Sequence, residues 1–228
     1  MFKDLQISLY DFFGYLLPGV VILIALVLLF WSIFWPSAPF TVATTLPALM
    51  VTALTLFAYL LGHLGQAVSN LLENLPSAKR TFESLPLSAE LGELVKDAAS
   101  ERFGPEARTL KPKELYALCD QTLIHAGSLG EREIFIYREG FYRGNCFAFG
   151  LLAVTLVLRM ICVPAVVTIS DAKMGFYRGE LGLTAALAAF GAWMFFRRYL
   201  RFGKYKTSSC LMRFLALTTA PDEENNTA

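Results

Sequence analysis

Apolar residues gather in four long runs, at about 14–35, 44–66, 145–164 and 181–196, and polar residues gather in the segment 67–144 that separates the second run from the third. The first run makes about 33 Å of helix at 1.5 Å per residue, enough to cross a hydrocarbon core of roughly 30 Å. Trp31 and Trp35 stand at its end, where aromatic rings sit at the headgroup level. The pattern predicts an all-α membrane protein with four transmembrane helices and a helical cytoplasmic insert between spans two and three.

The polar segment alternates at helical rather than strand period. A helix is expected over 88–103, with Leu91, Leu94, Val95 and Ala98 on one stripe and Gly104-Pro105 as its stop. A second is expected over 110–126, with Leu115, Leu118, Cys119 and Leu123 on its stripe and Gly127 after it. Ser128 and Glu131 have the spacing of a capping box. A third helix is therefore expected to start there and to run through Phe135, Arg138, Phe141, Tyr142 and Arg143 straight into the third span. The chain divides into an interfacial helix (1–13), a first transmembrane hairpin (14–66), the insert (67–144), a second hairpin (145–198) and a tail (199–228), basic and then acidic. With fewer than about 80 residues the insert is marginal alone, and it is expected to pack on the membrane helices or on copies of itself.

Charge sets the expected topology. Arg197, Arg198, Arg201, Lys204 and Lys206 follow the fourth span with no acidic residue until Asp222. By the positive-inside rule this places the C-terminus in the cytoplasm, and four crossings place the N-terminus and the insert there too. The N-terminal run has only Lys3 in its leading region and no small-residue cleavage site after it, so the first span is expected to be retained. Overall, 55% of the residues are hydrophobic and the net charge is +1, a balance that leaves no dense cationic surface for nucleic acid.

Within the spans, ionisable and amide side chains are functional candidates by default. These are Arg159, His63 and Gln66, with Arg159 expected to pair, to line water or to snorkel to the headgroups. Asp11, Arg143 and Arg178 are candidates for the interface. Arg143 and Arg178 lie in two copies of Gly-Phe-Tyr-Arg-Gly, at 140–144 and 175–179, each directly before an apolar run. Gly182, Ala185, Ala189 and Ala192 have the small-residue spacing that lets helix backbones approach in lipid, and they are the candidates for self-association. Pro18 inside the first run predicts a kink or a fresh helix start.

No phosphate-binding loop, dinucleotide fingerprint, zinc-protease motif or nucleophile elbow occurs. Cys119, Cys146, Cys162 and Cys210 are scattered, without the spacing of a zinc site or a disulfide framework. The reading is therefore of a protein that is not an enzyme, with no catalytic residue, no metal and no cofactor.

The opening Tyr10-Asp-Phe-Phe-Gly-Tyr-Leu-Leu-Pro-Gly19, followed by a span, a charged helical insert and further spans, resembles the small multi-span membrane accessory proteins of bacterial antiviral defence systems. These include the partners of type VI CRISPR systems and of the adenosine-deaminase-based RADAR system. The resemblance implies a multi-pass protein of the bacterial inner membrane that acts in antiviral defence, and it carries over no catalytic residue. The expected partners are the lipid bilayer, further copies of the chain and a cytoplasmic protein from the same operon. Three roles stay open: a self-associating assembly that alters membrane integrity, a small oligomeric channel or transporter, and a scaffold without transport activity.

Overall fold

The computed structural model describes the backbone of residues 2–34, 47–128, 132–162 and 171–219, and the side chains of 14–34, 47–128, 134–161 and 179–219. The elements are helices α1 (Phe2–Phe34), α2 (Ala48–Ser69), α3 (Pro76–Phe82), α4 (Ala89–Phe103), α5 (Pro112–His125), α6 (Arg132–Cys162) and α7 (Asp171–Thr219). Two 3-10 turns, Asn70–Asn74 and Pro105–Thr109, complete them, and no strand occurs among the described residues. Among those residues four segments are long and apolar enough to cross a membrane: Gly14–Phe34, Ala48–Asn74, Ile134–Ile161 and Gly179–Thr219. The protein is an all-α, multi-pass membrane protein.

Two compact units form. One comprises Met1–Leu72 and Tyr137–Tyr199, and the other Glu73–Ile136 and Leu200–Ala228.

In the first unit α1, α2, α6 and the first part of α7 form the membrane bundle. Many of its buried positions are small, among them Ala25, Ala58, Ala148, Ala153, Ala185 and Ala188, with Ile22, Leu156 and Tyr199 as larger members. Large side chains such as Leu56, Leu60, Leu64, Leu183 and Leu187 are exposed. This inversion is expected where lipid is the solvent, because lipid tails are as apolar as leucine and tight backbone approach drives association.

In the second unit α4, α5 and the end of α7 enclose an apolar core of Val95, Ala99, Ala107, Leu115, Cys119, Leu123, Cys210, Leu211 and Phe214. Local signals fix its helix ends. Ser88 Oγ accepts from the Leu91 amide at 3.3 Å at the start of α4, and Gly104 closes that helix with φ at 104°. Glu114 Oε2 accepts from the Lys111 amide at 2.9 Å at the start of α5. Arg108 bridges Asp97 at 2.8 Å and Glu93 at 3.5 Å on the exposed side.

Several boundaries differ from those the sequence predicts. The interfacial helix and first span are one helix, because a single missing amide at Pro18 does not end a helix whose carbonyl finds another donor. The connection expected after span three is helical from Asp171. Residues 200–219, grouped above as a tail, continue α7 and supply Cys210, Leu211 and Phe214 to the second core. Their apolar positions recur at helical spacing, but the cations before them dominate the local composition. Leu94, placed on the buried stripe of α4, is 52% exposed, and Ala99 takes the inward position. The expected capping box at Ser128 and Glu131 depends on Glu131, which lies outside the described residues.

Candidate functional site

The membrane bundle is built around the crossing of α1 and α2. A Cβ placed on Gly19 would overlap the Ala58 carbonyl oxygen, and one on Gly62 would overlap the Tyr15 carbonyl oxygen. Gly65 admits the Ile22 side chain in the same way. Ala58, Gly62, Gly65 and Ser69 thus form the buried face of α2, a row of small residues over which α1 passes with its backbone nearly in contact.

That approach brings Gln66 to a carbonyl left over by proline. Pro18 has no amide to return to Gly14, four residues earlier. Gln66 Nε2 reaches across from α2 and donates to Gly14 O at 3.5 Å. The same side chain fills the hollow beside two glycines of α6: a Cβ on Gly144 would stand 3.2 Å from Gln66 Cγ and 3.7 Å from Pro18 Cγ, and one on Gly140 would stand 3.5 Å from the Gln66 amide. One polar side chain therefore joins α1, α2 and α6 at a single level.

His63, one turn before Gln66 on α2, is exposed on the bundle surface. Its ring stacks on Tyr15 with centroids 3.7 Å apart and meets the edge of Tyr59 at 4.7 Å. Tyr15 and Tyr59 are themselves edge to face at 5.9 Å. The cluster cements the α1–α2 crossing from outside, as offset and T-shaped aromatic pairs do.

Arg159 lies one turn before Cys162 at the end of α6 and is only 2% exposed. Its Nη1 donates to Ser32 Oγ at 3.1 Å, and Ser32 in turn donates to Leu28 O at 2.6 Å. Thr155, one turn earlier on α6, is 1% exposed. Asn145 occupies the same buried side of α6 nearer its start, fully enclosed, with Nδ2 donating to Phe141 O at 2.8 Å. Its Oδ1 is buried without a hydrogen-bond partner among the described residues. Between Asn145 and Thr155 the packing is apolar, through Ala148, Leu152 and Ala153 with Leu28, Phe149, Leu156 and the alanines of α7. The polar groups of α6 therefore form two separate levels.

The remaining candidates distribute as follows. On α7, Ala185 is buried against α6, Gly182 comes within 3.7 Å of Met160 Sδ through a built Cβ, Ala192 is half-buried and Ala189 faces outward. Two of these four positions, Gly182 and Ala185, thus face α6 of the same chain. Arg143 is half-buried on α6, one turn after the 9% exposed Glu139. Asp11 and Arg178 are in helices, with side chains outside the described residues.

Sequence reasoning passed over Gly19, Ser32, Ala58, Gly62, Gly65 and Asn145. The Ala58-xxx-Gly62 spacing is the same small-residue signal read on α7, and Asn145 is an amide at the edge of an apolar run. Ser32 carries no such signal, because only the fold brings it to Arg159. No protein family, curated protein or solved structure matches the chain.

Proposed function

We propose that this protein is an inner-membrane component of bacterial antiviral defence, whose helical cytoplasmic unit receives a partner protein and whose membrane bundle, assembled from several copies, alters membrane integrity. The observation that carries this reading is that α6 and α7 are unbroken helices that each contribute residues to both units. A perturbation of one unit then has a covalent helical path to the other. The cations of α7 support a cytoplasmic position for that unit and for both termini. The resemblance of Tyr10–Gly19 to defence accessory proteins supports the biological setting.

The test is membrane potential and uptake of an impermeant dye in cells carrying the protein with its neighbouring genes, before and after phage challenge. Loss of potential on challenge is expected. Leu200→Pro, which removes an amide from α7 where the units divide, is expected to leave the protein in the membrane and to abolish the loss. Protection with unchanged potential in the wild type would overturn the integrity reading.

One observation favours a second reading, a scaffold without transport. The apolar packing between Asn145 and Thr155 supplies no polar lining through a single copy. Protection that survives with potential intact, together with recovery of a cytoplasmic partner on the membrane fraction, is the outcome that selects it.

A further inference from the structure

The outward face of α7 changes chemistry abruptly along its length. Leu183, Leu187, Phe190 and Trp193 are 64%, 61%, 58% and 51% exposed and follow one another at helical spacing. Met194 beside them is 42% exposed, and the exposed positions beyond it include Arg197, Arg198, Arg201 and Lys204. These four cations make no ion pair among the described residues, and the sequence places no acid between Glu180 and Asp222 to neutralise them.

Two of the guanidinium groups are held by aromatic neighbours. Arg197 lies over the Trp193 ring at 5.6 Å, and Trp193 packs on Phe190 at 5.7 Å. Arg201 lies over Tyr205 at 5.7 Å, and its Nε donates to the Tyr205 hydroxyl at 3.2 Å. A guanidinium fixed this way loses little freedom on meeting an anion and keeps most of its N–H donors outward.

We propose that this face of α7 binds an anionic diacyl phospholipid, with its acyl chains along Leu183, Leu187 and Phe190 and its headgroup phosphate on the Arg197 guanidinium that Trp193 holds. Charge complementarity selects the headgroup, and the apolar run leading up to the arginines selects a lipid over a soluble phosphate. The site is independent of the role proposed above, since it needs only that α7 cross the bilayer.

The full chain is extracted from bilayers of equimolar phosphatidylglycerol and phosphatidylcholine, and the lipids it retains are counted by native mass spectrometry. The wild type is expected to retain phosphatidylglycerol preferentially. The preference is expected to fall about fivefold for Arg197→Gln, the factor for one basic side chain at an anionic surface. Arg197→Lys, which keeps charge but loses the fork, is expected to fall less. Arg102→Gln removes an exposed cation outside this face and is expected to leave the preference unchanged. Gel filtration and circular dichroism of each variant establish that it is folded.

An equal fall in Arg102→Gln, or none in Arg197→Gln, overturns the site. So does loss of the preference when inorganic phosphate is added at the concentration of the lipid headgroups, which would make the ligand a free anion. A Phe190→Cys variant that crosslinks to a second copy rather than to a photoreactive lipid overturns it too, with the copy as the occupant of this face.

Discussion

Arg159 on α6 donates a 3.1 Å hydrogen bond to Ser32 on α1, a residue 127 positions earlier in the chain. A charge buried in a membrane protein costs a few kcal/mol when it is left to lipid. Here it is covered by protein and held by a hydroxyl that itself donates to the Leu28 carbonyl.

The pair predicts an asymmetry between its two ends. Ser32→Ala removes an acceptor from a buried guanidinium and is expected to cost about 1–3 kcal/mol. In the Arg159→Leu background the same serine substitution is expected to cost almost nothing, since no guanidinium is left to lose its acceptor and the Leu28 carbonyl remains within the backbone ladder of α1. A double-mutant cycle by thermal unfolding in detergent measures this, and additive effects would contradict the contact.

The α1–α2 crossing predicts opposite signs for two glycine substitutions. Gly62→Ala drives a methyl into the Tyr15 backbone and is expected to destabilise by about 1–3 kcal/mol. Gly150→Ala meets nothing within 4 Å and is expected to be neutral or to stabilise by up to about 1 kcal/mol through helix propensity. Unfolding of both variants in the same detergent makes the comparison.

Pro18 and Gln66 are expected to be coupled. Gln66→Leu leaves the Gly14 carbonyl without its donor and is expected to cost about 1 kcal/mol. Pro18→Ala restores an amide at the position that can bond Gly14 within α1, so Gln66→Leu should cost less in that background. Equal costs in both would show that the 3.5 Å contact contributes nothing.

In the second unit, burial pushes the Cys119 thiol up to about 12, with the nearby Cys210 and Asp120 adding to the effect. At pH 8 almost no thiolate exists, and iodoacetamide is expected to leave Cys119 unmodified until the unit unfolds. The folded pKa lies above the ordinary value of 9.0, so this group's contribution to stability is complete below pH 9 and is lost as pH rises toward 12. Cys119→Ala is expected to flatten the alkaline decline in stability across that window, measured by denaturant unfolding at successive pH values.

The end of α7 is expected to be core. Phe214 is fully buried, stacked with Phe103 at 6.0 Å. Phe214→Ala should cost about 3–5 kcal/mol, and protease sensitivity of the 73–136 segment should rise with it. A variant as resistant as wild type would return residues 200–219 to the status of a tail.

The amino-acid sequence alone determined the class of this protein, because the cost of leaving backbone groups unsatisfied in lipid makes any apolar run of sufficient length a helix. It determined the ends of α4 and α5 as well, since Ser88, Gly104 and Pro112 act on their immediate neighbours. It identified Gln66 and Arg159 as residues that need partners, because their polarity is conspicuous in an apolar run. Only the tertiary structure decided who those partners are. Gly14 and Ser32 answer them from another helix, and a backbone carbonyl or a single serine leaves no periodic trace in the text. The same holds for the division of small faces: α2 and α7 carry similar spacing, and which one admits a backbone depends on the shape presented by the helix opposite. The end of α7 was misjudged for a related reason, in that its apolar positions acquire meaning only when α4 and α5 are there to cover them.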